Sequence, residues 1–269
     1  FYYPDINVND INDWYGKILA GLNKETYYFC ISECTKNDFL KYRHDQLDEA
    51  KMLVTYPAVS QQYIPLYDFQ RLETILNKHN VKYNKGDIYI YSLCSIEPRK
   101  NLIFTINCFI KFIKKHHTEN LYFYIGGGQW NNFIETFNNE LCDLKNYRDK
   151  IIWLGYIDDE DMNILYSNSL FFTYISQYEG FGMPPLEAMR AGTPVITSNN
   201  SSLPEVVGGA AITITYNDEE ACIKSFEDLY FNETLRKEYI EKGLERAKLF
   251  SWDKTVKLMT DTIMETIDN

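Results

Sequence analysis

The sequence predicts an α/β fold: a doubly wound parallel sheet over most of the chain, with a partial α/β unit ahead of it. Three observations carry this. From residue 86 onward, six short β-rich strings alternate with stretches of helical periodicity. The strings are apolar nearly throughout rather than at every second residue, the pattern of strands covered on both faces. Between strand and helix lie loops rich in glycine, proline and serine, and a sheet of this kind takes its ligands beyond the carboxyl ends of its strands.

DIYIYSL (87–93) reads as the first strand and NLIFTINCFIKFIKKHH (101–117) as the helix after it. LYFYIG (121–126) is a strand and NNFIETFNNELCDLKN (131–146) a helix. KIIWLG (150–155) is a strand, and DEDMNILYSNS (159–169) a short helix with an acidic first turn. LFFTYIS (170–176) is a strand, PPLEAMRAG (184–192) a helix closed by Gly192, and PVITSN (194–199) a strand. SLPEVVG (202–208) is a short helix, AAITIT (210–215) a strand, and DEEACIKSFEDLYF (218–231) and ETLRKEYIEKGLERAKLF (233–250) are helices. Ahead of these, Tyr27–Ile31 and 52–59 read as strands, and Ser32 as the cap of an intervening helix. Residues 60–86 are mixed, contain Pro65 and Gly86, and read as a linker. In the tail, 251–269, Ser251 reads as a cap, and Trp252, Val256, Met259 and Ile263 fall on one helical face, expected to pack inward.

Composition narrows the function classes. The 269 residues correspond to about 1.8 domains at roughly 150 residues each. The net charge of −11 argues against a dedicated nucleic-acid surface. A hydrophobic fraction of 45% is ordinary for a globular protein. No apolar run reaches transmembrane length, and FYYPDINVND lacks the basic and apolar regions of a signal peptide. The six cysteines contain no C-x-x-C pair and the four histidines are scattered, so reduced, buried thiols and no metal site are expected. The 22 tyrosines fit either a sugar-binding surface or a compositional bias.

The loops carry the chemistry. In SIEPRKNL (95–102), Arg99 and Lys100 sit where a helix begins, and two cations beside free backbone N–H groups suit a phosphate. In IGGGQWNN (125–132), Gly126, Gly127 and Gly128 let backbone approach a ligand. A dinucleotide fingerprint would need glycine at 131, where the chain has Asn131, so a nicotinamide-dependent oxidoreductase is disfavoured. SQYEGFGMPPLEAMRAG (176–192) places Glu179 on a loop broken by Gly180 and Gly182. Pro184 and Pro185 pre-set the helix that follows, and Glu187 is expected in its first turn. Two acceptor carboxylates near exposed N–H donors suit a ligand with many hydroxyls and an anion. In 197–211, Ser201 or Ser202 would cap another helix start.

These strings together resemble a known family. YEGFGMPPLEAMRAGTPVITSNNSSLPEVVGGAA (178–211) resembles the signature of the retaining nucleotide-sugar glycosyltransferases of family 4, which have the GT-B architecture of two facing Rossmann-like domains. SIEPRKNL, IIWLGYID (151–158) and YFCISECTKNDFLKY (28–42) agree in order and spacing. The resemblance covers about residues 25–265. It implies that Glu187 holds the ribose hydroxyls, and that Glu179 lies near the donor sugar with the backbone of Gly180, Phe181 and Gly182. Arg99 and Lys100 would clamp the diphosphate, so Glu179, Arg99 and Lys100 form the implied catalytic set. Gly126 and Gly127 match the glycine-rich turn beside the donor. Gly155, Tyr156 and Ile157 match the segment whose backbone reads the base, and Ser202 and Leu203 would lie near the distal phosphate. A family member often has G-D-A-A where this chain has Gly208, Gly209, Ala210 and Ala211.

The implied fold is the Rossmann-like C-terminal half of a GT-B protein. Residues 1–85 are then a remnant of the acceptor-side domain with a linker, 86–250 the donor-binding domain, and 251–269 an amphipathic helix packing back on the N-terminal part. A start at Phe1, with at most the last units of an N-terminal domain, reads as truncation. The implied reaction is metal-independent, cofactor-free transfer of a hexose to a saccharide or lipid-linked glycan. The string E-P-R-K-N-L resembles the mannosyltransferase branch that builds polysaccharides, so GDP-mannose is favoured as donor, with UDP-sugars next. The implied setting is cytoplasmic, with peripheral attachment at the inner face of a membrane through the missing part. A non-catalytic nucleotide-sugar binding module is the alternative, and would bind donor without transfer or hydrolysis.

Overall fold

A computed structural model describes residues 14–128 and 147–268. In chain order the described elements are α1 (Trp14–Ala20), β1 (Tyr28–Cys30), α2 (Glu33–Arg43), β2 (Met52–Val54), α3 (Phe69–Lys78), β3 (Ile88–Leu93), α4 (Leu102–His116), β4 (Leu121–Gly126), β5 (Ile151–Gly155), α5 (Asp159–Ser167), β6 (Phe172–Tyr174), α6 (Met183–Arg190), β7 (Val195–Ser198), α7 (Leu203–Val207), β8 (Ile212–Ile214), α8 (Glu219–Phe231), α9 (Glu233–Ala247) and α10 (Trp252–Asp268). The helix expected over 131–146 lies outside the described residues. The chain divides into two compact units, Phe1–Pro57 with Ser251–Asn269, and Ala58–Phe250.

In the smaller unit, β1 and β2 pair in parallel, with Tyr28, Phe29 and Cys30 opposite Met52, Leu53 and Val54. Cys30, Leu47 and Met52 form its buried centre, against which Phe39, Leu40 and Val54 pack. As expected, Ser32 caps α2: its Oγ accepts from the Thr35 N–H at 2.9 Å. The tail helix is rotated from the expected orientation. Thr255 and Thr262 are its buried residues, and the Thr255 hydroxyl donates to the Tyr56 carbonyl. Trp252, Val256 and Ile263 are about half exposed, at 52%, 55% and 47%, and Met259 is half-buried. Periodicity identifies the apolar face of a helix; which face is covered depends on its neighbours.

The larger unit is built on a six-stranded sheet in the order β5-β4-β3-β6-β7-β8, with every pairing parallel. All six expected strands are present. The chain starts in the middle at β3, runs out to β5, then returns to β6 on the other side of β3. The order of winding reverses there, so the crevice that such sheets use for ligands lies beyond the carboxyl ends of β3 and β6. Helices cover both faces, which is why Tyr89, Ile90 and Tyr91 on consecutive positions of β3 are all buried. α4 buries Leu102, Ile106, Phe109, Phe112 and Ile113, and packs on α8. The Phe112 ring meets Phe226 edge-on at 6.2 Å. A fully buried phenylalanine such as Phe109 stabilises by about 1.5–3 kcal/mol.

Residues 60–86 are not a linker, and the boundary expected at 85/86 falls at 57/58. α3 belongs to the larger unit, with Leu72, Ile75 and Leu76 fully buried at helical spacing. Two of its cations grip Asp161 in the first turn of α5: Arg71 Nη2 at 3.0 Å from Oδ1 and Lys78 Nζ at 2.7 Å from Oδ2. Burial would raise the Asp161 pKa, but these two hydrogen bonds hold it below the usual carboxylate value. Among the described residues, no helix is long and apolar enough to cross a membrane. The five cysteines of those residues are free thiols, all buried except the half-buried Cys34.

Candidate functional site

The loop after β3 tightens into a single 3₁₀ turn, Pro98–Lys100, and reverses at Asn101, whose φ of 55° is left-handed. This delivers Arg99 and Lys100 side by side to the start of α4. The same turn is tied to the loop after β6, because the Arg99 carbonyl accepts from the Gln177 N–H at 2.8 Å and the Ser176 hydroxyl at 3.0 Å. The two sides of the switch point are therefore one hydrogen-bonded assembly.

Glu179 is the centre of that assembly. Its Oε1 accepts from Lys100 Nζ at 2.7 Å and from the Tyr174 hydroxyl at 2.8 Å. Its Oε2 lies 2.8 Å from Arg99 Nη1, which also donates to the Tyr178 carbonyl at 2.6 Å. Lys100 donates to the same Tyr174 hydroxyl at 2.6 Å, and Arg99 Nη2 meets Glu97 Oε1 at 2.8 Å. Burial alone would raise the Glu179 pKa; Lys100 and then Arg99 outweigh it and keep the carboxyl below its usual value. The Tyr174 hydroxyl is pushed well up, by burial first and then by Glu179. The expected catalytic set thus meets in one cluster. Tyr174 and Glu97 join it without having been singled out. Glu97 stood in the quoted E-P-R-K string, whereas Tyr174 looked like one more aromatic strand residue.

Glu187 lies in the second turn of α6, not the first, because the helix starts at Met183 and Gly182 is its N-cap. A first-turn dipole role therefore does not explain it. It is half-buried, and its Oε2 accepts from the Tyr166 hydroxyl at 2.9 Å. Burial raises its pKa, against the Tyr166 hydrogen bond and with help from Asp159.

Gly126 and Gly127, at the carboxyl end of β4, have no room for a side chain. A Cβ on Gly127, whose φ is 122°, would lie 2.2 Å from the Cys94 carbonyl oxygen. A Cβ on Gly126 would lie 2.5 Å from the Tyr91 hydroxyl and 3.0 Å from Leu93 and Ile157. Cys94 packs on Gly127; burial pushes its thiol up to about 11, and Lys100 is the strongest charge opposing that. Gly155 and Ile157 border these glycines, the Gly155 carbonyl accepting from the Gly127 N–H at 2.7 Å and Ile157 lying against Gly126. Tyr156 is 72% exposed, so a role for it falls to its backbone.

Neither Ser201 nor Ser202 caps α7 with its side chain. Ser201 Oγ accepts from the Glu179 N–H at 3.0 Å. The buried Ser202 hydroxyl donates to the Glu179 and Phe181 carbonyls at 2.9 and 2.7 Å. These hydroxyls brace the 179–181 loop and are not left to face a phosphate. The Leu203 N–H reaches the Asn200 carbonyl at 3.3 Å, and its side chain is buried, 2.8 Å from where a Gly182 Cβ would lie. Gly180 is exposed at the loop's tip, and Phe181 is buried edge-on against Phe250 at 5.7 Å.

Comparison with known proteins agrees with this architecture. Residues 74–246 match the family described as glycosyl transferases group 1. The chain is 31% identical over 252 residues to an O-antigen chain mannosyltransferase B of Escherichia coli, covering 84% of this chain and 64% of that protein. It is 26% identical over 253 residues to the serotype-specific mannosyltransferase WbdA of the same organism, covering 93% of this chain and 30% of that one. It thus spans less than two thirds of either relative. Among solved structures, a glycosyltransferase from Rickettsia africae superimposes with a TM-score of 0.76 at 20% identity, covering 97% of this chain and 68% of that one. Anabaena Alr3699/HepE, in complex with UDP and glucose, superimposes at 0.75 and 13% identity, covering 89% and 63%. These neighbours have the GT-B fold, and with the family match over most of the sheet, the chain belongs to the group 1 glycosyl transferases.

Proposed function

We propose that the chain is the donor side of a retaining glycosyltransferase that moves a hexose from a nucleotide-diphosphate sugar to a saccharide or lipid-linked glycan. The observation that carries this reading is the convergence of Arg99 and Lys100 on Glu179 at the switch point of the sheet. Transfer breaks the bond between the anomeric carbon and the distal phosphate, and negative charge builds on the departing phosphate oxygen. Two fixed cations at that point stabilise the charge as it forms. We assign this task to Arg99 and Lys100 and to no metal or other cofactor.

The remaining roles are those that the family resemblance implies. Glu187 takes the ribose hydroxyls, and the backbone of Gly155, Tyr156 and Ile157 faces the base. Gly126 and Gly127 allow the donor to approach the backbone. Glu179 faces the sugar together with the backbone of Gly180, Phe181 and Gly182, while Ser202 and Leu203 serve the distal phosphate through the backbone of the loop they brace. The names of the O-antigen relatives favour mannose as the sugar, and the resemblance of E-P-R-K-N-L to the polysaccharide-building mannosyltransferases favours GDP-mannose as donor, with UDP-sugars next. Calorimetric titration with GDP-mannose, UDP-glucose and their nucleotides tests donor choice, and release of nucleoside diphosphate on adding a glycan acceptor tests transfer. Binding of none of these donors would refute the reading; binding without release would reduce it to a nucleotide-sugar binding module.

A further inference from the structure

Tyr91 occupies the central strand β3 and is completely buried. Its ring is held edge-on by Tyr166 at 5.4 Å and tilted against Phe172 at 5.9 Å. Its hydroxyl reaches the carboxyl end of the sheet, 2.5 Å from where a Gly126 Cβ would sit, so only a glycine at 126 leaves room for it. Among the described residues that hydroxyl has no hydrogen-bond partner. The neighbouring Tyr166 hydroxyl, by contrast, is committed to Glu187. A buried hydroxyl left unpaired costs stability, and phenylalanine would fill the same space without that cost. Burial, and after it the nearby Glu187 carboxylate, keeps the Tyr91 phenol neutral and able to donate.

We propose that Tyr91 is a further donor-binding residue: its hydroxyl is the polar floor of the nucleoside part of the site and donates to a ribose hydroxyl held by Glu187. The inference rests on the assignment of Glu187 to the ribose.

The test is Tyr91→Phe in the full chain, read by melting temperature and by calorimetry with GDP, UDP and inorganic pyrophosphate. A hydroxyl that is unpaired until ligand arrives predicts two results of opposite sense. The melting temperature stays equal or rises, while GDP and UDP each bind about five- to tenfold more weakly, and pyrophosphate is unchanged. Unchanged GDP and UDP affinity overturns the inference and leaves the hydroxyl a buried defect. A melting temperature several degrees lower, or an equal loss for pyrophosphate, overturns it in favour of a purely structural role. Glu187→Gln separates the two levels. If it weakens GDP and UDP while Tyr91→Phe does not, only this inference falls. If neither variant weakens them, the ribose assignment falls as well.

Discussion

Lys100 Nζ lies 2.7 Å from Glu179 Oε1, across 79 residues of sequence. With Arg99 on the other oxygen of the same carboxylate, both cations of the site are neutralised by the chain itself. A diphosphate must therefore compete with Glu179 for them. Glu179→Gln should bind GDP or UDP about three- to tenfold more tightly than the parent chain while losing sugar transfer. Calorimetry reads the first and product release the second. Weaker nucleotide binding by this variant would show that the phosphates do not approach these cations.

Lys100 and Arg99 should respond differently to truncation. Lys100→Ala should weaken nucleoside diphosphate binding by about 1.5–3 kcal/mol and leave nucleoside binding unchanged. Arg99→Ala should weaken the diphosphate more than the nucleoside and also lower the melting temperature, because its guanidinium holds the Tyr178 carbonyl and Glu97. Equal losses for nucleoside and diphosphate in either variant would remove the phosphate assignment.

Glu187→Ala should cost about 1.5–3 kcal/mol of nucleotide affinity. Glu187 also sets a pH dependence. Its carboxyl is held above 4.5, so between that value and its raised pKa the folded chain retains a proton that the unfolded chain has lost. Its contribution to stability therefore falls as pH rises through that window. Nucleotide affinity runs the opposite way, since the ionised form accepts the ribose hydroxyls. Paired melting and calorimetric series across the window check both slopes, and Glu187→Gln should flatten both.

Asp161→Asn should destabilise the larger unit by about 2 kcal/mol, because the asparagine cannot serve both Arg71 and Lys78 as a charged acceptor. Asp161 is held below 3.8, so its stabilisation is fully present above that value and is lost as pH falls through its lowered pKa. Thermal denaturation at neutral pH and in acid should show the gap between parent and variant closing in acid.

The sheet was legible because each of its strands is a short apolar string set off by loop residues, and local composition suffices to recognise that. The cluster of Arg99, Lys100 and Glu179 was legible from position, since loops after strands meet at the switch point. Tyr174 was not, because its hydroxyl matters only through partners 74 and 5 residues away. The signals of α3 are local, an Asp68 cap and Leu72, Ile75 and Leu76 at helical spacing, but Pro65 and Gly86 on either side make the stretch read as a linker. The cap expected of Ser201 or Ser202 is not made by either side chain. A serine before a short helix reads as a cap, and nothing local shows that its hydroxyl turns back to the 179–181 loop.

The two glycines at the end of β4 face different kinds of obstacle, and this bears on how the chain can change over generations. At 126 the severe obstruction is a side chain, the Tyr91 hydroxyl, with Leu93 and Ile157 in tight contact behind it, so a substitution there could be accommodated by a matching reduction at 91. At 127 the obstruction is the main-chain carbonyl of Cys94, which every residue carries. No exchange elsewhere can shrink a carbonyl. Position 126 is therefore free to drift in concert with 91, whereas 127 is locked to glycine whatever its neighbours become. Paired saturation libraries at 126 with 91, and at 127 with 94, should recover compensated pairs from the first and none from the second.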